Sequence, residues 1–354
     1  MNITNIKTHN YNIQYENSKF KSIIDNNKHL LPNMNKESVS FNILNSNEAF
    51  ANALRRVFIN ELPVKCLNVD THNIVTNDKF ILTDNIIDRI RLVSIHQDID
   101  LNTTFNLNIT NETNDIINIY TKDLINKNKN DKTKYFNLNI QLCSLKPNKY
   151  LNINNIKPDI NYGYNNAIYS MGSFKYEAIN TDFSIASLQN TITDFSIEFV
   201  NNSNISIKSL VALLHETLYF RLKKIQDYIN DYDIEKNSDD VHKINMIGTK
   251  SNDIYIIKNN NILDTNLIDN NLSEVKLNNL YEIHIKNECH TIGNLITKYV
   301  YQLVPSIEYI SYRLHHPLSR QLIITIKHSD YKKIINDSID NIIKDLNKFK
   351  SSFK

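Results

Sequence analysis

Residues Asn287 to Leu303 read NECHTIGNLITKYVYQL, and the way this stretch folds decides the reading of the whole chain. From Thr291 onward, apolar side chains fall at Ile292, Leu295, Ile296, Tyr299, Val300 and Leu303. That three-and-four spacing gathers one face of an α-helix. Gly293 lies inside the pattern and is one of only four glycines in 354 residues. A glycine in a helix interior costs about 1 kcal/mol relative to alanine, so its presence predicts close approach by a neighbouring backbone. A tolerated defect in the first helical turn is the alternative.

Composition narrows the field. The chain is long enough for two or three domains, and 41% hydrophobic residues can fill ordinary cores. Forty basic against thirty-eight acidic side chains leave a net charge of +2, unlike the concentrated positive charge of an independent nucleic-acid binder. Asn, Ile, Lys and Tyr crowd a sequence that has no Trp, as an AT-rich genome would dictate. Asparagine runs and N-x-S/T matches such as Asn108 to Thr110 are therefore discounted. Cys66, Cys143 and Cys289 lie far apart with no zinc-ligand spacing. They predict a reduced intracellular protein without structural zinc. The amino-terminal stretch lacks a signal pattern, and no run of eighteen apolar residues occurs.

Residues 1–37 read as a polar arm. SVSFNIL, Ser38 to Leu44, alternates like a half-buried strand. A helix follows, with Asn45 and Glu48 at its start and Phe50, Ala53, Leu54, Val57 and Phe58 as its stripe, ending at Leu62 and Pro63. LNVDTHNIV and KFILT read as short strands, DNIIDRIRLVSI as mixed, and residues 97–200 as a β-rich insert including KYFNLNIQL and TDFSIEFV. A long helix follows Ser206, striped by Ile207, Leu210, Val211, Leu214, Leu218, Leu222 and Ile225. Residues 231–275 read as a connector with two strand-like pieces, IYIIK and EVKL. From 276 to 354 the plan repeats: a strand, the glycine-bearing helix, two strands, and a last helix striped by Tyr331, Ile335, Ile339, Ile342, Leu346 and Phe349.

Familiar catalytic devices are missing from the sequence. The glycines, at 163, 172, 248 and 293, are too dispersed for any phosphate loop. His215 and Glu216 open a zinc-protease-like string, but Tyr219 stands where a second ligand would be needed. His315 and His316 are adjacent on a strand, so their side chains point to opposite faces. Ser238 to Asp240 lie in the polar connector. Neither a catalytic residue nor a metal or cofactor site is expected.

Two motifs carry a resemblance. NEAFANALRRVFINELPV at Asn47 to Val64, followed by Asp84 to Ile95, resembles a signature of RNA polymerase assembly subunits, the family of bacterial α, archaeal D and the third subunit of eukaryotic RNA polymerase II. The matching residues are Asn52, Leu54, Arg55, Arg56, Glu61 and Pro63, then Asp84, Arg89, Leu92 and Ile95. Asp88, Arg91 and Ser94 replace the family's His, Gly and Pro. Leu145 to Leu151, LKPNKYL, is similar to the family's L-R-P-G-Q segment. The opening stretch resembles the small partner, archaeal L or the eleventh polymerase II subunit. Glu288, Cys289, His290, Thr291, Ile292, Gly293 and Asn294 match its E-D-H-T-L-G-N, and Tyr312, His316 and Pro317 its Y-x-x-x-H-P.

The resemblance implies an α+β chain holding two RNA polymerase α-type dimerisation domains packed through helices about a pseudo-twofold axis. Residues 38–96 and 201–230 form the third-subunit-like domain and 276–354 the eleventh-subunit-like one. It implies an internal interface of Phe50, Leu54, Val57, Leu214, Leu218, Ile292, Gly293, Ile296, Ile339 and Leu346. It also implies docking of other subunits through Arg55, Arg56, Glu61, Pro63, Asp84 and Arg89. The partners would be the two largest polymerase subunits and small zinc-binding subunits, with DNA reached only through the complex and no membrane. Such fusions resemble those of large cytoplasmic DNA viruses, which places the chain in the cytoplasm of an infected cell and in the virion. A stand-alone scaffold or DNA-binding factor using the same fold is the alternative.

Overall fold

A computed structural model describes residues 1–11, 36–126, 135, 136, 138–179, 193–201, 203, 205–231, 254–259, 279–316 and 319–353. The EVKL run, Ser238 to Asp240, Pro317 and most of the 1–37 arm lie outside these residues. Among the described residues the fold is mixed, with several sheets and five α-helices: α1 Glu48–Arg56, α2 Thr83–Arg91, α3 Ile207–Asp231, α4 His290–Leu303 and α5 Tyr331–Ser352.

Two four-stranded antiparallel sheets follow one plan. The first orders β1 (Asn2–Tyr11), β2 (Lys36–Leu44), β11 (Phe195–Asn201) and β10 (Gly172–Ala178). The second orders β12 (Ile254–Asn259), β13 (Leu280–Lys286), β15 (Ser319–Lys327) and β14 (Tyr309–His316). In each, the two inner strands lead into helices, β2 into α1 and β11 into α3, then β13 into α4 and β15 into α5. The start of the expected arm is therefore a strand: β1 pairs with β2 from Asn2 opposite Leu44 to Tyr11 opposite Lys36. Much of β1 is exposed, as an edge strand can be, so it lacks the apolar alternation that betrays a half-buried one. IYIIK, expected as a strand-like piece within the connector, is a strand, β12, and forms the edge of the second sheet.

A third sheet orders β3 (Pro63–Asn68), β9 (Lys149–Tyr162), β5 (Phe105–Asn111) and β7 (Ile125–Asn126), with β4 (Ile74–Thr76) also on β9. A further pair joins β6 (Ile117–Tyr120) to β8 (Gln141–Leu145). Their core, running from Leu67 to Ile156, includes Ile86, Ile87 and Ile90 of α2 and is separate from the main one. Three expectations change here. DNIIDRIRL is a helix because those isoleucines share one face. KFILT does not form a strand. Residues 172–178 and 195–200, expected in the insert, belong to the first sheet, because β11 pairs with β2 from Phe195 opposite Ile43 onward.

Candidate subunit interface

The interface is built from two helix pairs, each joining one half of the chain to the other. α1 begins where the Asn47 side chain accepts from the Phe50 amide at 2.8 Å, an N-cap that satisfies an otherwise orphaned donor. The same side chain donates to Gln302 Oε1 at 2.9 Å. At the other end of α1, Arg56 Nε donates to Thr291 Oγ1 at 2.9 Å. Position 47 thus meets 302 and 56 meets 291, so α1 and α4 run antiparallel. α3 and α5 do the same: His215 Nε2 donates to Asn347 Oδ1 at 2.8 Å, Gln226 Nε2 to Asp340 Oδ1 at 2.7 Å, and Asn336 Nδ2 to Asn230 Oδ1 at 2.6 Å.

Apolar packing fills the space between these bonds. Phe50, Leu54, Val57, Leu214, Leu218, Ile292, Ile296, Ile339 and Leu346 are all buried in one continuous cluster. Phe41 of β2 meets Phe349 and Phe353 from the far half, with ring centroids 5.9 and 5.2 Å apart. Gly293 is buried with them, but the reason for it differs from the expected one. A Cβ there would stand 2.5 Å from Tyr312 Cδ2 and 2.7 Å from Leu322 Cδ1. Side chains of its own sheet crowd Gly293, not the backbone around Leu54. Among the described residues, the glycine that does admit a backbone is Gly163, where a Cβ would lie 2.1 Å from the Ile59 carbonyl oxygen. Ile59 belongs to a π-turn, Val57–Glu61, that continues α1.

That π-turn delivers Glu61 into a buried polar knot. Arg221 of α3 pairs with Glu61 through Nη1 and grips Glu288 with two bonds, Nε to Oε1 at 3.1 Å and Nη2 to Oε2 at 2.5 Å. Thr291 Oγ1 donates to Glu61 Oε1 at 2.5 Å and Cys289 Sγ donates to the same oxygen at 3.3 Å. Arg56 completes the group through Thr291. Two guanidinium groups balance two carboxylates, which is how charges survive away from water. Burial alone would push the Glu61 carboxyl up, but Arg221 and the hydrogen bonds from Thr291, Arg221 and Cys289 hold it below its ordinary value. Burial works against the Arg221 charge, yet Glu288 and Glu61 raise its pKa further above the usual guanidinium value.

The expected docking residues separate into two groups. Glu61, only 7% exposed, serves this internal contact rather than an outer surface. Arg56 leans the same way, and Arg55 is held by Asn52 on its own helix at 2.9 and 3.1 Å. Pro63 is half-buried where β3 begins opposite Tyr162. Asp84 and Arg89 are exposed on α2, remote in sequence from the knot. Arg221 lies outside both sequence motifs and was not among the expected site residues. Its signal was its place three residues after Leu218 and four before Ile225, within the apolar stripe of α3.

Among the described residues, no group of three or more His, Cys, Asp or Glu could hold a metal ion, and no helix is long and apolar enough to cross a membrane.

Comparison with known proteins agrees with this geometry. Residues 281–352 match the RNA polymerase Rpb3/Rpb11 dimerisation domain. The DNA-directed RNA polymerase RPB3-11 homolog of African swine fever virus (isolate Pig/Kenya/KEN-50/1950) is 27% identical over 312 residues, covering 84% of this chain and 82% of the viral one. A probable DNA-directed RNA polymerase II subunit RPB11 of Plasmodium falciparum is 39% identical over 71 residues, covering 20% of this chain and 56% of its own. The small-subunit likeness is thus confined to one stretch, whereas the viral likeness runs through both halves. Together these matches are consistent with a fused Rpb3/Rpb11-like RNA polymerase subunit.

Proposed function

We propose that the protein is a noncatalytic assembly platform of a multisubunit DNA-directed RNA polymerase, a heterodimer already closed within one chain that docks the two largest subunits. The observation that carries this reading is the joining of the two halves by a pair of antiparallel helix contacts and by the shared Glu61–Arg221–Glu288 knot. Rpb3/Rpb11 family subunits assemble with other polymerase subunits. We infer that this chain meets the largest pair and small zinc-binding subunits, with Arg55, Pro63, Asp84 and Arg89 as the docking candidates that still face outward or lie near the surface.

The two halves are read as dimerisation domains related by a pseudo-twofold axis. The repeated strand plan and the antiparallel helix registers support that reading, since a twofold relates equivalent elements in opposite directions. The β-rich unit between β3 and β9 is the insert. Fusion makes the encounter of the halves intramolecular, at an effective concentration on the order of millimolar, so assembly does not depend on balanced subunit dosage. The viral relatives favour the cytoplasm of an infected cell as the place of action, and the virion as a second.

Affinity purification of the tagged chain, followed by mass spectrometry and an RNA synthesis assay, tests the proposal. Two large subunits in roughly equal amounts with templated synthesis is the expected result. Recovery of the chain alone under gentle salt would return the function to a stand-alone scaffold.

A further inference from the structure

We infer that the turn from Asn77 to Leu82, flanked by Arg89 and Lys146, is a preformed docking knuckle for an acidic segment bearing an apolar anchor on another polymerase subunit. The inference rests on the polymerase reading and adds to it residues that the sequence motifs do not contain.

Phe80 is 78% exposed and Leu82 62%. Single exposed apolar residues are ordinary, but these two sit on a turn that the fold holds rigidly. Asp78 is 3% exposed. Its Oδ1 accepts from the Phe80 amide at 3.1 Å, and its own amide donates to Thr76 Oγ1 at 3.1 Å. Thr76 Oγ1 donates in turn to the Tyr150 carbonyl at 2.7 Å, and Asn77 Oδ1 accepts from the Tyr150 amide at 2.9 Å. A buried carboxylate and two side chains anchored to β9 thus fix a turn whose tip is apolar and in water. Ordering before binding removes an entropy cost that a flexible loop would meet on docking.

The surroundings set the chemistry of the partner. Behind the tip lies a cleft of about 320 Å³ lined by Phe80, Leu82, Ile86, Arg89, Leu142 and Cys143, large enough to receive a side chain. Lys146 Nζ stands 3.2 Å from the centre of the Phe80 ring, and Lys79 and Arg89 are exposed. Among nearby carboxylates, Asp78 is engaged with backbone amides, Asp88 lies 3.7 Å from Arg91, and Asp84 sits in the first turn of α2, where the helix dipole offsets its charge. The charge left to a partner is positive and surrounds an apolar tip. A segment with carboxylates around an aliphatic or aromatic residue fits it, with the apolar contact as the hot spot and the charges as the rim.

The test uses the full chain co-expressed with the two large subunits. Phe80→Ser with Leu82→Ser should lower the large subunit retained by roughly tenfold at a salt concentration where the wild-type complex holds. Arg89→Glu with Lys146→Glu should lower it as well, while Ile168→Ser, an exposed apolar change elsewhere, should not. Unaltered thermal unfolding of the serine pair would show that folding is intact, since both side chains lie mostly in water. A benzophenone amino acid in place of Phe80 should crosslink to a large-subunit peptide rich in Asp or Glu. Full retention by the serine pair would overturn the inference and leave the polymerase reading standing. Crosslinking to nucleic acid or to a basic peptide would also overturn it. Failure of the wild-type chain to retain either large subunit would sink both.

Discussion

Arg221 grips Glu288 bidentately across 67 residues of sequence, and in doing so ties the long helix of the first half to the motif that opens the second. Removing the guanidinium leaves two buried carboxylates without their cation, and breaking a buried pair in this way costs about 3–5 kcal/mol. Arg221→Met should therefore destabilise the chain by that order in urea unfolding. Adding Glu61→Gln and Glu288→Gln to it should recover much of the loss, because the uncompensated charges are then gone.

Acid should loosen the same knot. The Glu61 carboxyl is held below its ordinary value of 4.5, so its ionised form is favoured in the folded state. This contribution is fully present above the unfolded value and fades as pH falls below about 4.5 through the lower folded value. Unfolding free energies measured between about pH 3 and pH 7 should show an acid slope that Glu61→Gln makes shallower. An identical slope in the variant would exclude Glu61 as its source.

How much of this was legible in the sequence depends on what each residue faces. The stripes of α1, α3, α4 and α5 could be read because each presents one apolar face to a single large core. β1 could not, since an edge strand with much of its surface in water leaves no alternation to detect. KFILT misled in the opposite direction: its apolar run promises burial, yet Phe80 and Leu82 point into solvent while Asp78 is buried beneath them. Arg221 and Glu288 stand 67 residues apart, and no local pattern couples them. The family motif marked Glu61 and Glu288 for attention, but their roles as partners of one internal arginine needed coordinates.

The two crowded glycines should respond differently to alanine. At Gly293 the obstacles are the Tyr312 ring and the Leu322 methyl, side chains that can shift, so overpacking of about 1–3 kcal/mol is partly offset by about 1 kcal/mol of helix propensity. At Gly163 the obstacle is the Ile59 carbonyl 2.1 Å away, which cannot move without disturbing the π-turn that carries Glu61. Thermal unfolding should rank Gly163→Ala well below Gly293→Ala.

Leu54, fully buried on α1, gives a test of the packing itself. Leu54→Asp places an uncompensated charge in the shared core, at a cost of several kcal/mol. Limited proteolysis should then cut the variant at enzyme concentrations that leave the wild type whole. Equal resistance would count heavily against this core.

The two halves should hold each other without relying on the covalent link. Introducing a protease site between residues 231 and 254, cleaving the purified chain and passing it through a sizing column with light scattering measures this directly. Both fragments should elute together at the mass of one chain, 41.3 kDa apart from the added site, and Arg221→Met should weaken that association. Fragments that separate at micromolar concentration, or a species of twice the mass before cleavage, would contradict a heterodimer closed within a single chain.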